Sequence, residues 1–64
     1  MADIRNNVKE LREAQNLSIR DLERLTGINR GNLSEIERYK RNPEPDEKQQ
    51  LRSILGEVEF WVTL

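Results

Sequence analysis

Cysteine and histidine are both missing from the 64 residues. Without cysteine there is no disulfide staple and no thiolate metal site. Without histidine the chain lacks the commonest metal ligand and the commonest general base, so neither a Cys/His nor a Ser/His nucleophile can be assembled. The remaining catalytic option is a pair of carboxylates in a cleft, and so short a chain leaves little room for one. No enzyme activity, metal or cofactor is expected. Long apolar runs are missing too. No stretch approaches the ~20 residues a membrane helix needs, and MADIRNN lacks the basic-then-apolar order of a secretory signal. A cytoplasmic protein with no membrane partner is the expectation.

What is present is one small domain with an uneven charge. A chain of this length buries only about 60% of the surface its unfolded form exposes, so a second chain often completes such a fold. The formal net charge is −1, which argues mildly against an anionic partner. Its distribution matters more than its sum. Residues 1–28 hold five basic and five acidic side chains. Residues 29–42 carry Arg30, Arg38, Lys40 and Arg41 against Glu35 and Glu37, for +2; residues 43–64 carry Lys48 and Arg52 against five acids, for −3. The single net basic segment can steer an anion although the whole chain is weakly acidic.

Periodicity divides the chain into four helices and a strand. Ile4, Val8 and Leu11 share one helical face, with Asp3 placed to favour its start, and predict a first helix over about residues 3–15. Ser18 is an N-cap with Asp21 three residues on, and Gly27 stands where a left-handed residue closes a helix; together they bound a second helix, 19–26. Asn29 can cap a third, 30–38, whose inner side carries Leu33 and Ile36. Gly31 within it costs roughly 1 kcal/mol relative to Ala, which suggests close approach by another surface. Pro43 and Pro45 break the chain, and Pro45 or Asp46 opens a fourth helix ending at Gly56, with Leu51, Ile54 and Leu55 buried. Leu17 and Leu22 complete the expected core. Val58, Phe60, Val62 and Leu64 then alternate with polar residues and Trp61, a strand pattern.

A helix, a Gly turn and a second helix in this order look like a helix-turn-helix. The run LSIRDLERLTGINRGNLSEIERYKRNP resembles the Cro/cI-type helix-turn-helix proteins, the XRE family of phage and bacterial repressors. Matching positions are the capping Ser18, the turn Gly27-Ile28-Asn29, the recognition-helix residues Leu33, Ser34, Ile36 and Glu37, and the closing ERYKRNP. The upstream VKELREAQNLS is similar to the end of that family's first helix. The resemblance covers about residues 4–56 and is specific as a set. It implies an all-α, four-helix, lambda-repressor-like domain over residues 1–56; the alternating residues beyond it make a C-terminal β-strand tail over 57–64. Two positions depart from the pattern. Ile19 stands where the family often has a phosphate-contacting Gln, and Glu23 where it often has a small Ala facing the third helix. A glutamate there must angle outward or find a cation such as Arg20 or Arg24.

The resemblance also implies which residues meet double-stranded DNA. Arg30, Gly31, Ser34 and Glu35 occupy the groove-facing positions. Arg30 can fork onto guanine O6 and N7, a pairing worth ~1–3 kcal/mol of discrimination, and Glu35 can accept from a cytosine amino group or hold a neighbouring arginine. The alternative for Arg30 is a solvated side chain, although a helix start is a poor place for a cation. Asn29, Asn32, Arg38, Lys40, Arg41 and Asn42 are candidates for phosphate contact, which sets register without reading sequence; Asn29 also reads as a cap, and Tyr39 either meets phosphate or packs on the bundle. The family's pairing of a glutamate late in the third helix with an arginine late in the first falls on Glu37 and Arg12, a structural ion pair.

A lone amphipathic strand leaves backbone groups unpaired. The expected solution is a homodimer through the tail, with Val58, Phe60, Trp61, Val62 and Leu64 at the contact and two recognition helices one DNA turn apart. The other is that the tail folds back over its own core. The leading function is a sequence-specific transcriptional repressor of phage or bacterial type that occludes a promoter as a dimer, with no small-molecule ligand expected. A competing reading is a protein-interaction module, antirepressor or antitoxin-like, that keeps the bundle without reading DNA; Ile19, Glu35 and the acidic C-terminal third point that way.

Overall fold

The computed structural model describes residues 3–63. Along the chain run β1 (Asp3–Asn6), α1 (Val8–Ala14), α2 (Ile19–Thr26), α3 (Arg30–Glu37), α4 (Pro45–Leu55) and β2 (Phe60–Thr63). Four helices dominate, and the two strands form one antiparallel pair with Ile4 opposite Val62 and Arg5 opposite Trp61. This is a small all-α helix-turn-helix domain carrying a short sheet.

The helix boundaries follow from local chemistry. At the start of α2 the Asp21 N–H donates to the Ser18 hydroxyl and the Ser18 N–H donates to the Asp21 carboxylate, each at 3.0 Å, so two otherwise orphaned donors are satisfied reciprocally. Gly27 ends that helix at φ 77°, where a Cβ is disfavoured, and its N–H returns to the Glu23 carbonyl at 2.8 Å. Pro45 opens α4 at a position that needs no N–H, and Glu47 reaches back to accept from the Glu44 N–H at 2.9 Å. The chain leaves α3 through a Schellman closure. Lys40 N–H donates to the Glu35 carbonyl and Tyr39 N–H to that of Ile36, with Tyr39 itself left-handed at φ 63°.

The N-terminal expectation needs correction. Residues 3–6 are a strand, and α1 begins at Val8 instead of residue 3. Two asparagines direct the change. The Asn6 Oδ1 accepts from the Val8 N–H at 3.0 Å, an Asx turn that starts the helix, while the Asn7 Oδ1 accepts from the Glu59 N–H at 2.8 Å and so holds the C-terminal segment alongside. Consequently the amphipathic tail does have a partner strand within its own chain. Asp3 pairs with Thr63 in the sheet and caps nothing.

Val8, Leu22, Leu33, Ile36 and Leu51 are completely buried and bring all four helices to one core. Ile28 and Val58 join them at 6% and 4% exposure, while Leu11, Leu17, Ile19, Ile54 and Phe60 pack around the edge. Ile19 thus serves the core in place of the family's polar residue. Val58 and Phe60, expected at a contact between chains, turn toward their own core. The Phe60 ring also lies under the cations of Lys48 and Arg52, at 5.3 and 5.2 Å from its centroid. Trp61 and Val62 remain about half exposed. Leu64 lies outside the described residues.

Candidate nucleic-acid interface

The α2–turn–α3 unit is built so that α3 has fixed ends and one open face. Leu33 and Ile36 anchor it in the core. At its N-terminus the Asn29 Oδ1 accepts from the Gly31 N–H at 2.7 Å, and the Glu23 carboxylate accepts from the Arg30 N–H at 3.0 Å. A Cβ on Gly31 would stand 3.1 Å from that Asn29 oxygen. The glycine therefore also makes room for the cap, a local reason for its presence beside any approach of a ligand. At the far end the buried Asn6 Nδ2 donates to the Ile36 carbonyl at 2.9 Å.

Orientation about the helix axis is fixed by Arg12 and Glu37. The guanidinium holds the carboxylate through Nε at 2.8 Å and Nη2 at 3.2 Å, and its Nη1 donates to the Leu17 carbonyl at 2.8 Å. The side chains are 13% and 7% exposed. Hydrogen bonding to Glu37 raises the Arg12 pKa above its ordinary value against the opposing effect of burial. This planar, three-bonded arrangement ties α1 to α3 and leaves neither charge free for an outside partner.

The four positions assigned to base reading lie along α3: Arg30, Gly31 and Glu35 are exposed and Ser34 is half-buried. The six assigned to phosphate are less uniform. Arg38, Lys40 and Asn42 are exposed in and after the last turn of α3. Asn29 and Asn32 instead line a groove with Asp46 and Glu47 at the start of α4, and those carboxylates disfavour an anion there. Arg41 is half-buried and its Nη2 is paired with Glu47. Tyr39 is exposed and has a left-handed backbone.

Glu23 has a place that its sequence position did not disclose. Its cationic neighbour is Arg30, whose Nε stands 3.4 Å from Oε1, and neither Arg20 nor Arg24. The two residues are seven apart and meet across the Gly27 turn. The available signal was a carboxylate in the last turn of α2 facing the N-terminus of α3, where an anion is favoured.

A short, doubly capped helix carried by a helix-turn, presenting an arginine-led polar face, defines a helix-turn-helix protein of the DNA-binding class. Comparison with known families agrees: a model described as Helix-turn-helix (HTH_3) matches residues 8–60. The chain belongs to this XRE-type helix-turn-helix family of DNA-binding regulators. No curated protein and no solved structure matches it. Among the described residues no helix is long and apolar enough to cross a membrane.

Proposed function

We infer that this chain is a sequence-specific transcriptional repressor of the phage or bacterial type, which binds operator DNA as a homodimer and occludes a promoter. The observation that supports this most directly is the mounting of α3. Caps at both ends and the buried Arg12–Glu37 pair hold the helix rigid, while Arg30, Gly31 and Glu35 face outward. Such a helix suits a groove whose base edges are read by a few fixed side chains. Arg30, with Glu35 and Ser34 beside it, reads bases; Arg38, Lys40 and Asn42 grip the backbone, and Asn29, Asn32 and Arg41 flank them.

The dimer reading rests on the sheet. Two strands leave the outer edge of β2 unpaired by any described strand, and Trp61 and Val62, on opposite faces of that strand, are each about half exposed. Pairing β2 with its twofold copy makes a four-stranded sheet and sets two recognition helices toward successive turns of the duplex.

Selection from random duplex DNA, with binding of the enriched pool followed against salt, tests both parts. The expected result is a near-palindrome with half-sites about ten base pairs apart, and log K falling with log[salt] by about 0.9 per phosphate neutralised. No enrichment and no salt slope would assign the exposed face of α3 to a protein partner instead.

A further inference from the structure

We propose that Glu23 is a positioning residue for DNA reading, which holds the Arg30 guanidinium by its inner nitrogen and so presents the outer N–H fork to a guanine. The inference rests on α3 being the DNA-reading helix. One carboxylate serves both halves of one arginine: Oε2 accepts from the Arg30 backbone N–H at 3.0 Å, and Oε1 faces its Nε at 3.4 Å. The first contact, a hydrogen bond, fixes where the side chain leaves the helix, and the second, an ion pair, biases its direction.

Chemistry gives this arrangement a consequence. A guanidinium has five N–H groups in a rigid plane. Holding it through Nε leaves the two Nη groups at the outer end, and their spacing matches the paired acceptors O6 and N7 of guanine. Arg30 is 53% exposed, so a free side chain at that position would sample many rotamers and lose them on binding. A side chain already held loses less. The carboxylate also offsets the charge of Arg30, which weakens its attraction to any phosphate. Glu23 therefore raises discrimination while lowering non-specific affinity. A residue that only stabilised the fold would move both in the same direction.

The test compares the chain with Glu23→Gln, alone and in an Arg30→Ala background, in the same random-duplex selection and in titrations on an unrelated duplex. Glutamine keeps an oxygen for the Arg30 N–H, so the helix cap survives, and a thermal melt checks it. The expected result is a roughly tenfold loss of preference for guanine at one position of each half-site, within the range a bidentate pair supplies. Binding to the unrelated duplex becomes tighter, with a salt slope steeper by about one. In the Arg30→Ala background the same substitution leaves base preference unchanged. Enrichment by the parent chain with an identical base profile for Glu23→Gln would overturn the positioning role and leave DNA reading standing. So would a uniform fall in affinity on every duplex, or an effect that persists without Arg30. Failure of the parent chain to enrich any sequence would overturn both.

Discussion

The buried side chain of Asn6 joins strand β1 to the last turn of α3, with Nδ2 donating to the Ile36 carbonyl at 2.9 Å and Oδ1 accepting from the Val8 N–H at 3.0 Å. One amide thus closes α3, opens α1 and anchors the sheet. Asn6→Ala would remove both bonds at a site only 3% exposed, leaving the Val8 donor unpaired, and should cost about 2 kcal/mol. Asn6→Asp keeps the acceptor and loses the donor, placing a carboxylate against the carbonyl end of α3, and should cost more. Urea unfolding checks both through the midpoint at constant slope; an unmoved midpoint for Asn6→Ala would deny the amide its structural role.

The Arg12–Glu37 pair should behave as a unit. Glu37→Ala strands a guanidinium that is 13% exposed, a loss of about 3–5 kcal/mol. Replacing both residues by methionine removes the desolvation cost with the attraction, so the double variant should be more stable than Glu37→Ala alone. A double-variant stability equal to the sum of two independent single losses would show that the pair contributes no coupling.

Acid should loosen the starts of α2 and α4. The backbone N–H of Ser18, then its hydroxyl, hold the Asp21 carboxyl below the usual carboxylate range. Glu47 is also lowered: burial pushes it up, and the Glu44 N–H and the Arg41 guanidinium outweigh that effect. A group whose folded pKa is depressed contributes stability above its unfolded value and loses it as pH falls through the folded value. The loss should therefore begin near the ordinary carboxylate pKa, about 4, and continue below it. Ser18→Ala should cost about 1 kcal/mol at neutral pH and flatten part of the acid-side slope of stability against pH. A slope identical to that of the parent chain would separate Asp21 from the acid transition.

The basic loop should divide into a binding part and a structural part. Lys40 is exposed, whereas Arg41 is committed to Glu47 at the head of α4. Lys40→Ala should weaken binding on all duplexes about equally and reduce the salt slope by about one, with melting temperature unchanged. Arg41→Ala should lower the melting temperature and change the slope less. Filter-binding titrations across salt, run beside thermal melts, distinguish them; equal slopes for the two variants would reject the division.

Much of this fold is legible from single residues because its helices are punctuated locally. Ser18 with Asp21, Gly27, Asn29 and Pro45 each act within a turn of where they stand, and α2 falls on its expected limits. The strand β2 is legible from its alternation. Strand β1 is not. Its four residues include one apolar side chain, Ile4, whose spacing to Val8 and Leu11 fits a helical face equally well. What makes it a strand is a partner at the opposite end of the chain and an asparagine bonded to α3. The candidate site divides in the same way. The run of α3 residues follows from periodicity and family resemblance. The attachments of Arg30 to Glu23 and of Arg41 to Glu47 depend on side-chain directions across a turn, which spacing does not encode.

The tail is the place where this distinction decides the experiment. Deleting residues 57–64 would remove Val58, which is buried, and the partner of β1 along with any contact between chains, so loss of fold and loss of dimer would look alike. Val62 offers a cleaner change because it is 49% exposed. A lysine there can keep its head in water along the monomer's sheet, whereas two copies brought together across a twofold axis would oppose like charges on a strand edge. Val62→Lys should leave the melting temperature of the dilute protein within a few degrees of the parent's while halving the sedimentation mass. It should also weaken binding to a two-half-site duplex far more than to a single half-site, since only the former profits from linking two recognition helices. A mass that stays dimeric would move the interface away from β2, and a parent chain that is already monomeric would remove the tail from the assembly altogether.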